Sequence, residues 1–188
     1  MATEEPKFEV LEQEDAFQVR LYEPMIIAEV HIEGSLDEAS SKGFRLIAAY
    51  IFGENNSRQG EAEKIEMTAP VTMSRSAEKI AMTAPVTMQQ EEKSYRMHFV
   101  MPSSYTLDTL PTPNNPKVSL REIPAQKFAV LQFSWLASED TVANKTARLQ
   151  EWMKSKGLQA TATAQLARYN PPWTLPFLRR NEILIPIQ

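Results

Sequence analysis

The chain has 188 residues, 20 Lys and Arg against 24 Asp and Glu for a formal net charge of −4, and no cysteine. A chain of this length is expected to form one domain, 1–188, that buries roughly 70% of its unfolded surface without covalent staples. Disulfides, thiolate metal sites and cysteine nucleophiles are excluded, and the mixed charge argues against nucleic acid as a partner.

From the N-terminus, residues 1–6 read as a disordered lead. Met1 to Glu14 carries no apolar signal core and no run approaches 18 apolar residues, so the expectation is a cytoplasmic protein without a membrane span. Phe8 to Leu11, Phe17 to Tyr22 and Met25 to Ile32 alternate as strands, with Glu23-Pro24 as a break. Ser35-Leu36-Asp37-Glu38 is a capping box. It opens a helix with Leu36, Ala39, Gly43, Phe44, Ile47, Ala48 and Ile51 at helical spacing and Gly53 as the stop. Glu54 to Ala62 is a polar loop.

An eleven-residue phrase is then written twice, Glu63 to Met73 and Glu78 to Met88, with Glu66 against Ala81 as the one difference. Two copies are too few for a solenoid, so this is a local duplication. Met67, Ala69, Val71 and Met73 alternate with Thr and Pro, as do Met82, Ala84, Val86 and Met88, which predicts a hairpin. The expected partners are Met67–Val86, Ala69–Ala84 and Val71–Met82, with a bend at Pro70 and Pro85. Tyr95 to Met101 is a further strand.

Pro102 to Pro116 is a proline-punctuated connection, after which the pattern restarts. Lys117 to Ile123 and Lys127 to Trp135 alternate around Pro124. Ser138 caps a second helix with Val142, Leu149, Trp152 and Met153 on one face and Gly157 at its end. Thr161 to Tyr169 and Glu182 to Ile187 close the chain. The halves, about 7–101 and 117–188, thus share one order, and Val19 to Pro24 echoes Val118 to Pro124. Segregated strands and helices predict an α+β domain, a largely antiparallel sheet with two helices and a pseudo-twofold cleft.

Four stretches together resemble the SOUL haem-binding proteins, and they span roughly residues 8–188. They are Val19-Arg20-Leu21-Tyr22, the helix from Glu38 through Lys42-Gly43-Phe44 to Gly53, Lys64 to Thr72 with its Met-Thr-Ala-Pro-Val, and Tyr169-Asn170-Pro171-Pro172-Trp173 through Arg179-Arg180-Asn181-Glu182. The chain is also similar to GyrI-like effector-binding domains. The resemblance implies two βαββ-like halves in a distorted β-barrel with two helices, and binding of haem or another tetrapyrrole. The implied pocket lies between the first helix and the late proline-rich loop, walled by Phe44, Ile47, Ala48, Ile51, Pro172, Trp173, Leu175 and Phe177. Lys42, Arg45, Arg179 and Arg180 would meet the propionates.

Some family members place a His before the position of Tyr22, where this chain has Leu21. His31 and His98 are the remaining metal candidates, each in a predicted strand and read first as structural. No phosphate loop, nucleophile elbow or His-Glu-x-x-His motif is present. Similarity to GyrI-like hydrolases offers Glu182, Tyr22 and Tyr50 as catalytic candidates, with Glu182 read first as part of a structural network with Arg179 or Arg180. The leading expectation is a tetrapyrrole carrier. An enzyme acting on a small hydrophobic molecule and a protein-interaction module are the alternatives.

Overall fold

The computed structural model describes residues 4–75, 94–171 and 173–188. Strands β1 (Phe8–Glu14), β2 (Phe17–Tyr22) and β3 (Met25–Glu33) lead into helix α1 (Leu36–Ile51). Both arms of the capping box form: the Ser35 hydroxyl accepts from the Glu38 N–H at 3.4 Å, and the Glu38 carboxylate accepts from the Ser35 N–H at 3.0 Å. Two of the helix's orphan donors are thereby satisfied. Past the helix, Gly53 takes φ +118°, which a side chain would oppose. At Gly43 the reason for glycine is space, since an added Cβ would meet the Met97 sulfur at 2.8 Å.

The remaining elements are β4 (Asn55–Asn56), β5 (Val71–Arg75), β6 (Ser94–Val100), β7 (Thr112–Pro113), β8 (Ser119–Ile123), β9 (Gln126–Phe133), α2 (Glu139–Ser155), β10 (Gln165–Arg168), a 3-10 turn (Pro176–Leu178) and β11 (Asn181–Ile187). Ser138 caps α2 by accepting from the Thr141 N–H. β4 and β7 pair with each other; the other nine strands form one antiparallel sheet, ordered β1-β2-β9-β11-β10-β5-β6-β3-β8, curled into a half-barrel. The order reads alike outward from the β10–β5 pair, β10-β11-β9 on one side and β5-β6-β3 on the other. Each half is therefore strand, helix, strand, strand, as the resemblance implies. The strand before each half pairs with the opposite half: β2 joins β9 and β8 joins β3. The echoing segments Val19 to Pro24 and Val118 to Pro124 thus hold equivalent, exchanged positions.

Alternation gives the sheet two faces. On one, α1 packs against Ala28, Val30, Ile32, Met97 and Phe99, and α2 packs against Val19, Leu131, Phe133, Leu166, Ile183 and Ile185. The other face carries Tyr22, Phe128, Val130, Ala167 and Leu184 as a small apolar cluster and, between its residues, most of the buried polar side chains.

Two expectations change. The first copy of the repeat forms a strand only from Val71; residues 64–70 run without regular structure up to Pro70, which has no N–H to give a ladder. β5 is central, not a hairpin arm: Val71 pairs with Arg168 on one side and Phe99 on the other. The pair Val71–Met82 is thereby ruled out, and the pairs Met67–Val86 and Ala69–Ala84 fall outside the described residues. The lead is ordered from Glu4 onward. Glu4 accepts from the Ala69 N–H through its backbone carbonyl and from the Ser103 N–H through its carboxylate.

Candidate functional site

The late loop is held by one backbone–backbone bond and two side-chain bonds to backbone carbonyls. The Trp135 N–H donates to the Pro176 carbonyl at 2.9 Å, Asn181 Nδ2 donates to the Trp135 carbonyl at 2.9 Å, and Arg179 Nε donates to the Thr174 carbonyl at 2.8 Å. Arg168, on the helix side of β10, ties this region to α1: its Nη1 donates to Ser40 Oγ and its Nη2 to the Ala137 carbonyl, both at 3.1 Å. The loop therefore borders the 134–138 link, and Arg168 ties that link to α1. Large apolar side chains stay in solvent there, with Trp173 83%, Phe177 55% and Phe44 39% exposed, together with Leu175. Phe44 rests on Phe99 with ring centroids 5.6 Å apart. Trp135, Leu136 and Leu178 extend the same surface. Sequence reasoning missed them because Trp135 and Leu136 lie far along the chain from both motifs, in a link between β9 and α2 that carries no motif of its own.

Several expected wall and rim residues are elsewhere. Ile47 and Ile51, 0% and 1% exposed, are packed in the core beneath α1 and leave no atom for a ligand; Ala48 is also buried. The error is physical: one apolar helical stripe looks the same whether it meets a sheet or a cleft. Lys42 and Arg45 are exposed on α1. Arg180 is committed to a network described next and is not a free propionate partner. Pro172 lies outside the described residues.

Glu182, on the face opposite the helices, is 0% exposed and accepts five hydrogen bonds. Arg20 donates two (2.9 and 3.1 Å), Arg180 two (3.1 and 2.9 Å) and the Tyr169 hydroxyl one (2.8 Å). Arg20 also donates to the Tyr22 hydroxyl at 3.0 Å, and Arg180 lies 3.8 Å over the Tyr169 ring and reaches Glu5. Burial pushes the Tyr22 and Tyr169 hydroxyls up from the ordinary range, with Glu182 adding to the effect. Arg20 is raised because the bond and charge of Glu182 outweigh its desolvation. The structural reading of Glu182 is thus correct in kind, with Arg180 as one partner and Arg20 as the partner that was missed. Its five donors fill the about four lone-pair sites of a carboxylate, as a structural anchor's would. Tyr22 joins this network. Tyr50 is on the other side of the sheet, where its hydroxyl donates to the Pro111 carbonyl at 2.9 Å, so the three catalytic candidates do not converge.

The same face forms a cleft of about 260 Å³ where the two halves meet. Tyr22, Met25, Val100, Ile123, Phe128, Leu184 and several prolines wall it, and Arg96, Arg121, His98, Thr72, Gln126 and Gln165 bring polar atoms. Burial first, then neighbouring Arg96, pushes the His98 imidazole down to about 4. His31 is exposed, beside Arg96 in the ladder. Both histidines project on the face away from α1, so neither reaches the surface between α1 and the late loop. Among the described residues no group of three or more His, Cys, Asp or Glu could hold a metal ion, and no helix is long and apolar enough to cross a membrane.

Comparison with known proteins agrees with this architecture. The EcmrR C-terminal domain superposes with TM-score 0.65 at 12% identity, covering 92% of this chain and 96% of that one. A hydrolase from Listeria innocua gives 0.64 at 13% identity, covering 95% and 94%. SAV2435 bound to tetraphenylphosphonium gives 0.52 at 10% identity, covering 92% and 93%. These likenesses establish the fold. No curated protein sequence matches significantly. The family model described as "SOUL heme-binding protein" matches residues 3–186. Binding of a small ligand is the general kind of function that goes with this match, and the chain belongs to the SOUL heme-binding protein family.

Proposed function

We propose that the protein is a cytoplasmic carrier of haem or a related tetrapyrrole, held on the surface between α1 and the late loop. The observation that carries this reading is the exposed apolar surface itself. Trp173, Leu175 and Phe177 stand exposed on a loop tied to the 134–138 link, and Arg168 ties that link to α1, which carries the exposed Phe44; a monomer would ordinarily bury such side chains. A flat macrocycle covers that kind of surface, and Lys42, Arg45 and Arg179 provide cations for its carboxylates. The cleft on the opposite face, about 260 Å³, is below the roughly 300–1,000 Å³ usual for drug-sized ligands and is too small for a tetrapyrrole.

With both histidines on the far face, this chain's contribution is to bind and orient the ring by its apolar plane and its carboxylates. The residues fit the macrocycle and offer its iron no histidine. Saturable growth of the Soret band is expected on titrating micromolar protein with hemin. Combining Trp173→Ala with Phe177→Ala should weaken binding at least tenfold, because the removed rings supply most of the apolar contact, while His98→Asn leaves the band in place. A hemin titration without saturation removes the proposal. A hydrolytic role is not favoured, since Glu182 has no lone pair left for a substrate proton.

A further inference from the structure

We propose that the cleft on the face opposite the helices is a second site, which binds a small amphipathic organic anion such as an aromatic or medium-chain carboxylate. The inference is independent of tetrapyrrole binding and concerns the other side of the sheet.

Its charge carries the argument. The charged side chains lining the cleft are Arg96 and Arg121, and no carboxylate lines it among the described residues. Glu29 lies behind them, 7% exposed, and is already taken by Arg121 through a two-pronged contact at 2.9 and 3.2 Å. Arg96 approaches Glu29 no closer than 3.9 Å, and its Nε is buried with no hydrogen-bond partner among the described residues. One carboxylate thus answers two guanidiniums, which leaves a net positive charge on the cavity lining. Two guanidiniums, 32% and 41% exposed, on a lining with no carboxylate among the described residues point to an anionic ligand acceptor.

The other walls set the rest of the ligand. Thr72, Gln165 and a neutral His98 add uncharged hydrogen-bonding groups, and the histidine's low pKa keeps that end free of titration at physiological pH. Opposite them Tyr22, Phe128, Ile123, Leu184 and Met25 are apolar. The volume of about 260 Å³ suits one or two rings or a medium acyl chain.

Calorimetric titration tests this with three probes of one skeleton: naphthalene-2-carboxylate, the neutral naphthalene-2-carboxamide and the cationic 2-naphthylmethylammonium. The carboxylate should bind saturably and at least tenfold more tightly than the amide, with the cation weakest. Arg96→Gln should remove that preference, and Ala162→Trp, at an exposed position of the cleft lining, should block all three probes while leaving the melting temperature near that of the parent. Phe44→Asp, on the far side of the sheet, should change nothing. Equal affinity for carboxylate and amide, preference for the cation, or loss of carboxylate binding in Phe44→Asp but not in Arg96→Gln would each overturn the proposal.

Discussion

Replacing Glu182 with glutamine removes a charge but almost no volume from a site with 0% exposure. The amide oxygen can keep the donors on one side. The amide NH₂ then faces the guanidinium or hydroxyl donors on the other, so donor meets donor. Arg180 can turn toward solvent and Glu5, since its side chain is 29% exposed. Arg20 cannot, at 2%. Stranding one buried ion typically costs about 3–5 kcal/mol, and relief at Arg180 favours the lower half of that range. In a chain of this size about 3–4 kcal/mol lowers Tm by roughly 6–16 °C. Urea unfolding should show a lower midpoint at unchanged m. The double variant Arg20→Met with Glu182→Leu strands no charge and should lose less than Glu182→Gln. A cost below about 1 kcal/mol for Glu182→Gln, or a double variant worse than both single ones, would refute the network as described.

Stability should fall in acid. The folded pKa of His98, about 4, is below its ordinary 6.5, so the native state favours the neutral ring. Its contribution is complete above about pH 6.5 and declines as pH falls toward 4, by about 3 kcal/mol in all. Glu29 acts in the same direction: burial pushes it up, but Arg121 outweighs this and holds it low, so its contribution is also lost as pH falls. Urea midpoints at pH 7, 5.5 and 4.5 should decline for the parent and decline less for His98→Asn; parallel curves would refute this account of His98. Gly43→Ala should destabilise by about 1–2 kcal/mol, because the clash with Met97 outweighs the helix-propensity gain of about 1 kcal/mol. A thermal melt showing a stabilised variant would mean that Met97 yields freely.

What could be read in the sequence was local or periodic. Both helix starts were legible because Ser35 and Ser138 cap with residues three positions on, and the strand breaks at Pro24 and Pro124 were visible as single residues. Strand neighbours were not legible. Nothing near Val71 states that its partners are Phe99 and Arg168, so the doubled phrase suggested a hairpin where the fold has a central strand. The Glu182 network was half visible, since Arg180 is two positions away but Arg20 is 162. The missed signal was parity: Gln18, Arg20 and Tyr22 share the face opposite Val19, and an arginine on a strand's inward face needs an acid. For the candidate site, the motifs located the late loop and α1. They could not separate exposed Phe44 from buried Ile47 and Ile51, and they gave no hint that Arg96 and Arg121 line a second cleft together.

The most direct test of the carrier proposal is to map metal-free protoporphyrin IX by amide chemical shifts, since this ligand needs no iron bond. The account predicts saturable changes concentrated at residues 40–48, 135–137 and 173–179, with Arg96, His98 and β8 quiet. Changes centred instead on Arg96, His98 and Arg121, or no saturable change at all, would contradict it.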